Sequence, residues 1–126
     1  MTAETLNYMA EDIEYLHHDS RPMALRLCRP AGAGPFPAVL DLHGGAWTDG
    51  DLNGCQVRDA VLAEAGIAAA ALNFRQAGDG YPTSLIDINY AVRWLKAHAE
   101  ELRIDAGKIG IVGQSSGGHL AMLAAM

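Results

Sequence analysis

Residues 67–73 read Ile-Ala-Ala-Ala-Ala-Leu-Asn, an apolar run with no polar alternation, closed off from the preceding segment by Gly66. A strand that tolerates no polar face is one covered on both sides, the condition of a parallel sheet flanked by helices. Neighbouring segments repeat the theme. Ala38–His43 is a short, mostly apolar strand, and Ile109–Val112 is another. Between them lie helical patterns. One runs from about Asn53 to Ala65, with Val57, Val61 and Ala65 on a shared face and Gly66 as its stop. The next follows Pro82, starts on Ser84 and Asp87 at capping-box spacing, and repeats Ile88, Val92, Leu95, Ala99 and Leu102. A third opens at Ser115 and runs to Met126. Upstream, Ile13–His17 and Met23–Cys28 read as strands around the turn-rich segment His18–Pro22, which predicts an antiparallel hairpin. The fold class expected is α/β: a hairpin followed by a parallel βαβαβα sheet with helices on both faces.

Composition narrows what such a sheet serves. Half of the 126 residues are apolar, enough for one core, and Pro30–Pro35 is a loop too short to divide domains. Nine basic against fifteen acidic residues leave a formal charge of −6, with no clustered Lys/Arg patch, so a nucleic-acid partner is not expected. The acidic N-terminal stretch has neither the basic nor the apolar region of a signal peptide. No apolar run approaches the ~20 residues of a membrane span. A cytoplasmic protein with no membrane partner is the default. Cys28 and Cys55 share no metal-ligand spacing and fall in different elements, so they read as semi-buried thiols, without a metal or a disulfide.

The chemistry concentrates at two strand ends. Gly113-Gln114-Ser115-Ser116-Gly117-Gly118 lies between a predicted strand and a predicted helix, and Gly-x-Ser-x-Gly in that setting is a nucleophile elbow. A serine on so sharp a turn brings the residues two before and two after it close together, which glycines at 113 and 117 permit. The helix N-terminus behind Ser115 favours developing negative charge. The second segment, His43-Gly44-Gly45-Ala46-Trp47, follows the strand at 38–43. Glycines there let backbone N–H groups turn inward toward a tetrahedral oxyanion. The amides of Gly45 and Ala46, with that of Ser116 after the nucleophile, are the expected donors.

With these segments in place, the chain resembles the α/β-hydrolase superfamily, and within it the hormone-sensitive-lipase-like and feruloyl-esterase-like carboxylesterases, with kynurenine formamidases as near relatives. The resemblance rests on His43–Trp47 followed by Gly50-Asp51, then Asn73-Phe74-Arg75, Tyr81-Pro82, Arg93-Trp94-Leu95, Asp105 ahead of Lys108-Ile109, and Gly113–Leu120. It implies Ser115 as nucleophile, the amides of Gly45, Ala46 and Ser116 as oxyanion donors, and a structural His43 that is not a base. It also implies acyl-enzyme hydrolysis of short-chain acyl or aryl esters, with no cofactor. Trp47 and Tyr81 are expected at the pocket entrance. Ala46 stands where the lipase branch commonly has a third glycine, and Ser116 where it often has alanine.

In the same superfamily the acid and the histidine follow the serine along the chain. Here only His119 follows, one helical turn away and directed along the helix. His17, His18 next to Asp19, and His98 beside Lys96 and Glu100 read as hairpin and surface residues. Asp41 interrupts an apolar strand and is expected to hydrogen-bond locally. The expectation is therefore a single partial domain over residues 1–126, carrying the nucleophile without its acid and base. Alone it would be nearly inactive, since an unassisted serine is a poor nucleophile. A non-catalytic scaffold, or a half-domain completed by a partner chain, is the alternative. The strand at 109–112 is expected to form an uncovered apolar edge open to self-association.

Overall fold

A computed structural model describes residues 8–45, 50–80 and 82–125. Five strands form one sheet: β1 (Tyr8–His18), β2 (Arg21–Pro30), β3 (Phe36–Leu42), β4 (Ala68–Leu72) and β5 (Ile104–Gly113). Four α-helices accompany them: α1 (Gln56–Glu64), α2 (Thr83–Ala97), α3 (Ala99–Leu102) and α4 (Ser116–Ala125). The strand order is β1-β2-β4-β3-β5. β1 pairs antiparallel with β2, and β2 antiparallel with β4, whereas β3 runs parallel to both β4 and β5. The hairpin thus joins the sheet through β2, and β3 sits between its parallel neighbours.

Strand alternation divides the core into two unequal parts. Leu40, Leu42, Ala68, Ala70 and Leu72 face the side packed by Ile88, Ala91 and Leu95 of α2 and Leu120 of α4. The other side is thinner: Ala71 packs with Leu52 and Cys55 of the 3₁₀ turn Leu52–Cys55 that leads into α1. All five residues of β4 are buried, as a strand covered on both faces requires.

Two local readings are corrected. Helix α1 does not turn Val57, Val61 and Ala65 inward: Val57 and Val61 are 81% and 60% exposed, Ala65 is exposed, and the buried residues are Asp59 and Ala63. Its inward face meets Asp41 of β3, so the helix rotates to satisfy a polar contact instead of burying its valines. Ser84 and Asp87 do not form a capping box either. Pro82 occupies the N-cap, the Ser84 hydroxyl donates to the Arg75 carbonyl, and Asp87 accepts from Arg75. The helical repeat from Ile88 to Leu102 is also broken at His98, where α2 ends and α3 begins.

Asp87 anchors the hairpin to the helical layer. It is fully buried and accepts from the Arg75 backbone N–H at 2.8 Å, from the Arg75 guanidinium at 2.9 Å, and lies 3.0 Å from His18 Nε2. A buried carboxylate is tolerable only with such partners. His18 thus pairs with Asp87 across 69 residues of sequence, not with the adjacent Asp19.

Candidate active site

Ser115 lies between the end of β5 and the start of α4, exposed, with φ +55°. A non-glycine residue in this left-handed region is strained, and the surrounding backbone has to enforce it. The enforcement is visible in the neighbours. A Cβ on Gly113 would lie 2.2 Å from the Gly117 carbonyl oxygen, and one on Gly117 would lie 2.1 Å from the Leu42 carbonyl oxygen. Neither position accepts a side chain. The Gly117 N–H closes the turn onto the Gln114 carbonyl at 2.9 Å, and the Gln114 N–H reaches the Leu42 carbonyl at 3.3 Å. Ser116, the first residue of α4, is buried.

The end of β3 arrives at the same place. His43, Gly44, Gly45, Gly50, Asp51, Gly54, Gln114 and Ser115 line one open cleft of about 390 Å³. A Cβ on Gly44 would stand 3.3 Å from the Ser115 Cβ, and Gly45 has φ +131°. The two glycine-rich segments, distant in sequence, are therefore adjacent because β3 and β5 are adjacent and parallel. Ala46, Trp47 and Tyr81 lie outside the described residues.

His43 is buried, its ring stacked on Phe74 with centroids 4.6 Å apart, and its Nδ1 lies 2.8 Å from the Gly44 carbonyl oxygen. That arrangement braces the loop. Among the described residues no hydrogen bond reaches the Ser115 hydroxyl. His17 pairs with Glu14, His18 with Asp87, and His98 stacks on Trp94 while its Nδ1 meets the Trp94 carbonyl. His119 is exposed on α4, its amide donating to the Ser115 carbonyl.

Behind the cleft sits a charged group that the sequence signalled only through Asp41. Asp41 is fully buried and is gripped by Arg58, whose Nε donates to Oδ2 at 2.9 Å and whose second nitrogen bonds Oδ1. Its partner is thus seventeen residues away on α1, and the bond is not local. Asp59, also buried, faces Asp41, and its Oδ1 has no hydrogen-bond partner among the described residues. Burial, the contact with Asp41 and its negative charge raise the Asp59 carboxyl well above the ordinary carboxylate range. Burial opposes ionisation of Asp41, but the hydrogen bonds and charge of Arg58 outweigh it and keep that group low. Burial, followed by the charge of Asp41, pushes the Cys55 thiol up to about 12. Asp41, Cys55 and Asp59 bring three ligand-type atoms within 4.8 Å of one another, yet Arg58 already occupies both oxygens of Asp41. The guanidinium fills the place a cation would take. The Arg58-Asp59 pair is legible as a motif only once α1 is known to turn that side inward.

Comparison with known proteins assigns the family. The model of the BD-FAE family matches residues 26–126. The chain belongs to the BD-FAE family. This member is 40% identical over 96 residues to the probable carboxylic ester hydrolase LipM of Mycobacterium tuberculosis, covering 74% of the chain and 22% of LipM. It is 36% identical over 119 residues to the ethyl acetate hydrolase of Pseudomonas putida, covering 90% and 37% respectively. Among solved structures it superposes on Thermogutta terrifontis esterase 2, phosphoramylated by tabun, with a TM-score of 0.82 and 30% identity, over 89% of the chain and 45% of the esterase. The esterase Est22 gives a TM-score of 0.83 at 31% identity, over 98% of the chain and 40% of Est22. The BD-FAE chain spans less than half the length of each of these proteins. Its fold is half of an α/β-hydrolase, as the strand order β1-β2-β4-β3-β5 and the esterase superpositions agree.

Proposed function

We propose that this BD-FAE chain belongs to a carboxylic-ester hydrolase in which Ser115 attacks the ester carbonyl and carries the acyl group. The observation that bears most weight is the strained turn at Ser115, held by two glycines that admit no side chain and opening into the same cleft as Gly44 and Gly45. A serine lifted onto such a turn can be approached by substrate from the cleft side. The amides of Gly45, Ala46 and Ser116 are assigned to the oxyanion, where preorganised donors act at no reorganisation cost. In the first step the Ser115 oxygen bonds to the acyl carbon, its proton passes to a base, and the alcohol leaves. Water then releases the acid. The base and its carboxylate come from the part of the hydrolase that the longer relatives have and these 126 residues lack, so residues 1–126 alone are nearly inactive. Short-chain acyl esters are the favoured substrates, with aryl esters behind them, and the named activity of the Pseudomonas relative on ethyl acetate supports this preference. No cofactor enters the mechanism.

The test uses the protein expressed from its full coding sequence. Turnover of p-nitrophenyl butyrate and covalent labelling by paraoxon, which phosphorylates the Thermogutta relative, are expected in the parent and absent in Ser115→Ala. Turnover that survives Ser115→Ala would sink the assignment. A folded parent with neither turnover nor labelling would favour a hydrolase-like scaffold instead.

A further inference from the structure

The group behind the cleft has properties that a packing role does not require. Asp41 and Asp59 are both almost completely buried, face each other, and share one nearby cation, Arg58, whose carboxylate hydrogen bonds go to Asp41. Two carboxylates in contact with one neutralising guanidinium cannot both stay ionised in a site screened from water. Asp59 Oδ1, buried and otherwise unpartnered, is suited to a carboxylic acid contact with Asp41. Arg58 also looks the other way: its NH1 lies 3.5 Å from Gln114 Oε1, at the outer limit of a hydrogen bond, and Gln114 directly precedes Ser115. Cys55 adds a long contact from its thiol to the Asp41 carbonyl, two residues before His43.

We propose that Asp41 and Asp59 share a single proton, and that the charge left on Asp41 holds Arg58 against Gln114, making this trio a positioning group for the turn that carries Ser115. The second half of that statement rests on the ester-hydrolase reading; the first does not. Arg58 is a positioning residue, acting on Ser115 only through Gln114. Among the described residues, the groups facing the pair are Arg58 and the Cys55 thiol from the α1 side, with Arg26 and Cys28 of β2 as further charged or titratable neighbours. Both thiols are held protonated by burial, so neither supplies charge near neutrality.

An Asp59 that keeps its proton in the fold but loses it on unfolding makes the native state bind more protons. Stability therefore falls with rising pH from the ordinary carboxylate range, about 4, upward. Asp59→Asn retains a donor toward Asp41 and removes the titration. Thermal midpoints of the full-length protein and of Asp59→Asn, measured from about pH 5 to about pH 8, should diverge, the parent falling relative to the variant. Parallel curves would overturn the shared proton. For positioning, Arg58→Gln should lower kcat about 10-fold on p-nitrophenyl butyrate while leaving KM near the parent value. A loss confined to KM, or no loss, would overturn that half. Should Arg58→Gln fail to fold, Arg58→Lys replaces it, with the same split of kcat from KM expected. A parent without Ser115-dependent turnover would refute the hydrolase reading, while the thermal comparison would still decide the proton.

Discussion

Gly117 illustrates how little tolerance the turn at Ser115 has. A methyl group there would penetrate the Leu42 carbonyl, and the obstacle is backbone in the middle of the sheet, not a side chain that can swing aside. Gly117→Ala should cost about 3 kcal/mol of stability in urea unfolding and take paraoxon labelling with it. A loss within about 0.5 kcal/mol would mean that the sheet yields more easily than its pairing suggests. Asp87 makes a different case. Here the carboxylate is fully buried, and Asp87→Ala leaves the Arg75 guanidinium and His18 without their acceptor. A loss of about 3 kcal/mol is expected by the same measurement, because an uncompensated charge remains. Both glycines of the Ser115 turn were legible in the sequence, since steric need alone dictates them. In sequence Asp87 has the spacing of a cap, because its partners, Arg75 and His18, lie in other elements.

Elements differ in how far their own residues decide their placement. The β4 alanines specify a doubly covered strand whatever surrounds it, and the reading from sequence matched closely. Helix α1 is the opposite case: its valines pointed to one face, and the structure buries the other. The reason is tertiary. Asp41 on β3 needs a cation and Asp59 needs cover, and Ala69 and Ala71 on the adjacent strand leave room for both. No periodicity within α1 carries that information. Substituting Val57 with lysine should accordingly shift stability by no more than about 0.5 kcal/mol, which a urea titration resolves. A cost of 2 kcal/mol or more would restore the valines to a buried role.

At the scale of the whole molecule, β5 forms one margin of the sheet, and Ile109, Ile111, Ala121, Met122 and Ala125 line an apolar groove beside it. Unpaired strand groups next to apolar side chains favour pairing with another strand. The 126-residue polypeptide should therefore sediment as a concentration-dependent mixture, and Ile111→Lys should shift it toward monomer. A single monomeric boundary across concentrations would count against this. β3 has a further consequence. Its end supplies the carbonyl that receives the Gln114 N–H, the obstacle that fixes Gly117, and the start of the Gly44–Gly45 bend. Thermal displacement of that one strand carries Ser115 and the Gly44–Gly45 bend together, like two points on a single rigid lever. Breathing of the β1–β2 hairpin, which contributes none of these contacts, leaves their separation unchanged. The amide at Gln114 should then exchange with solvent deuterium only through openings that also release β3, far more slowly than the ends of β1.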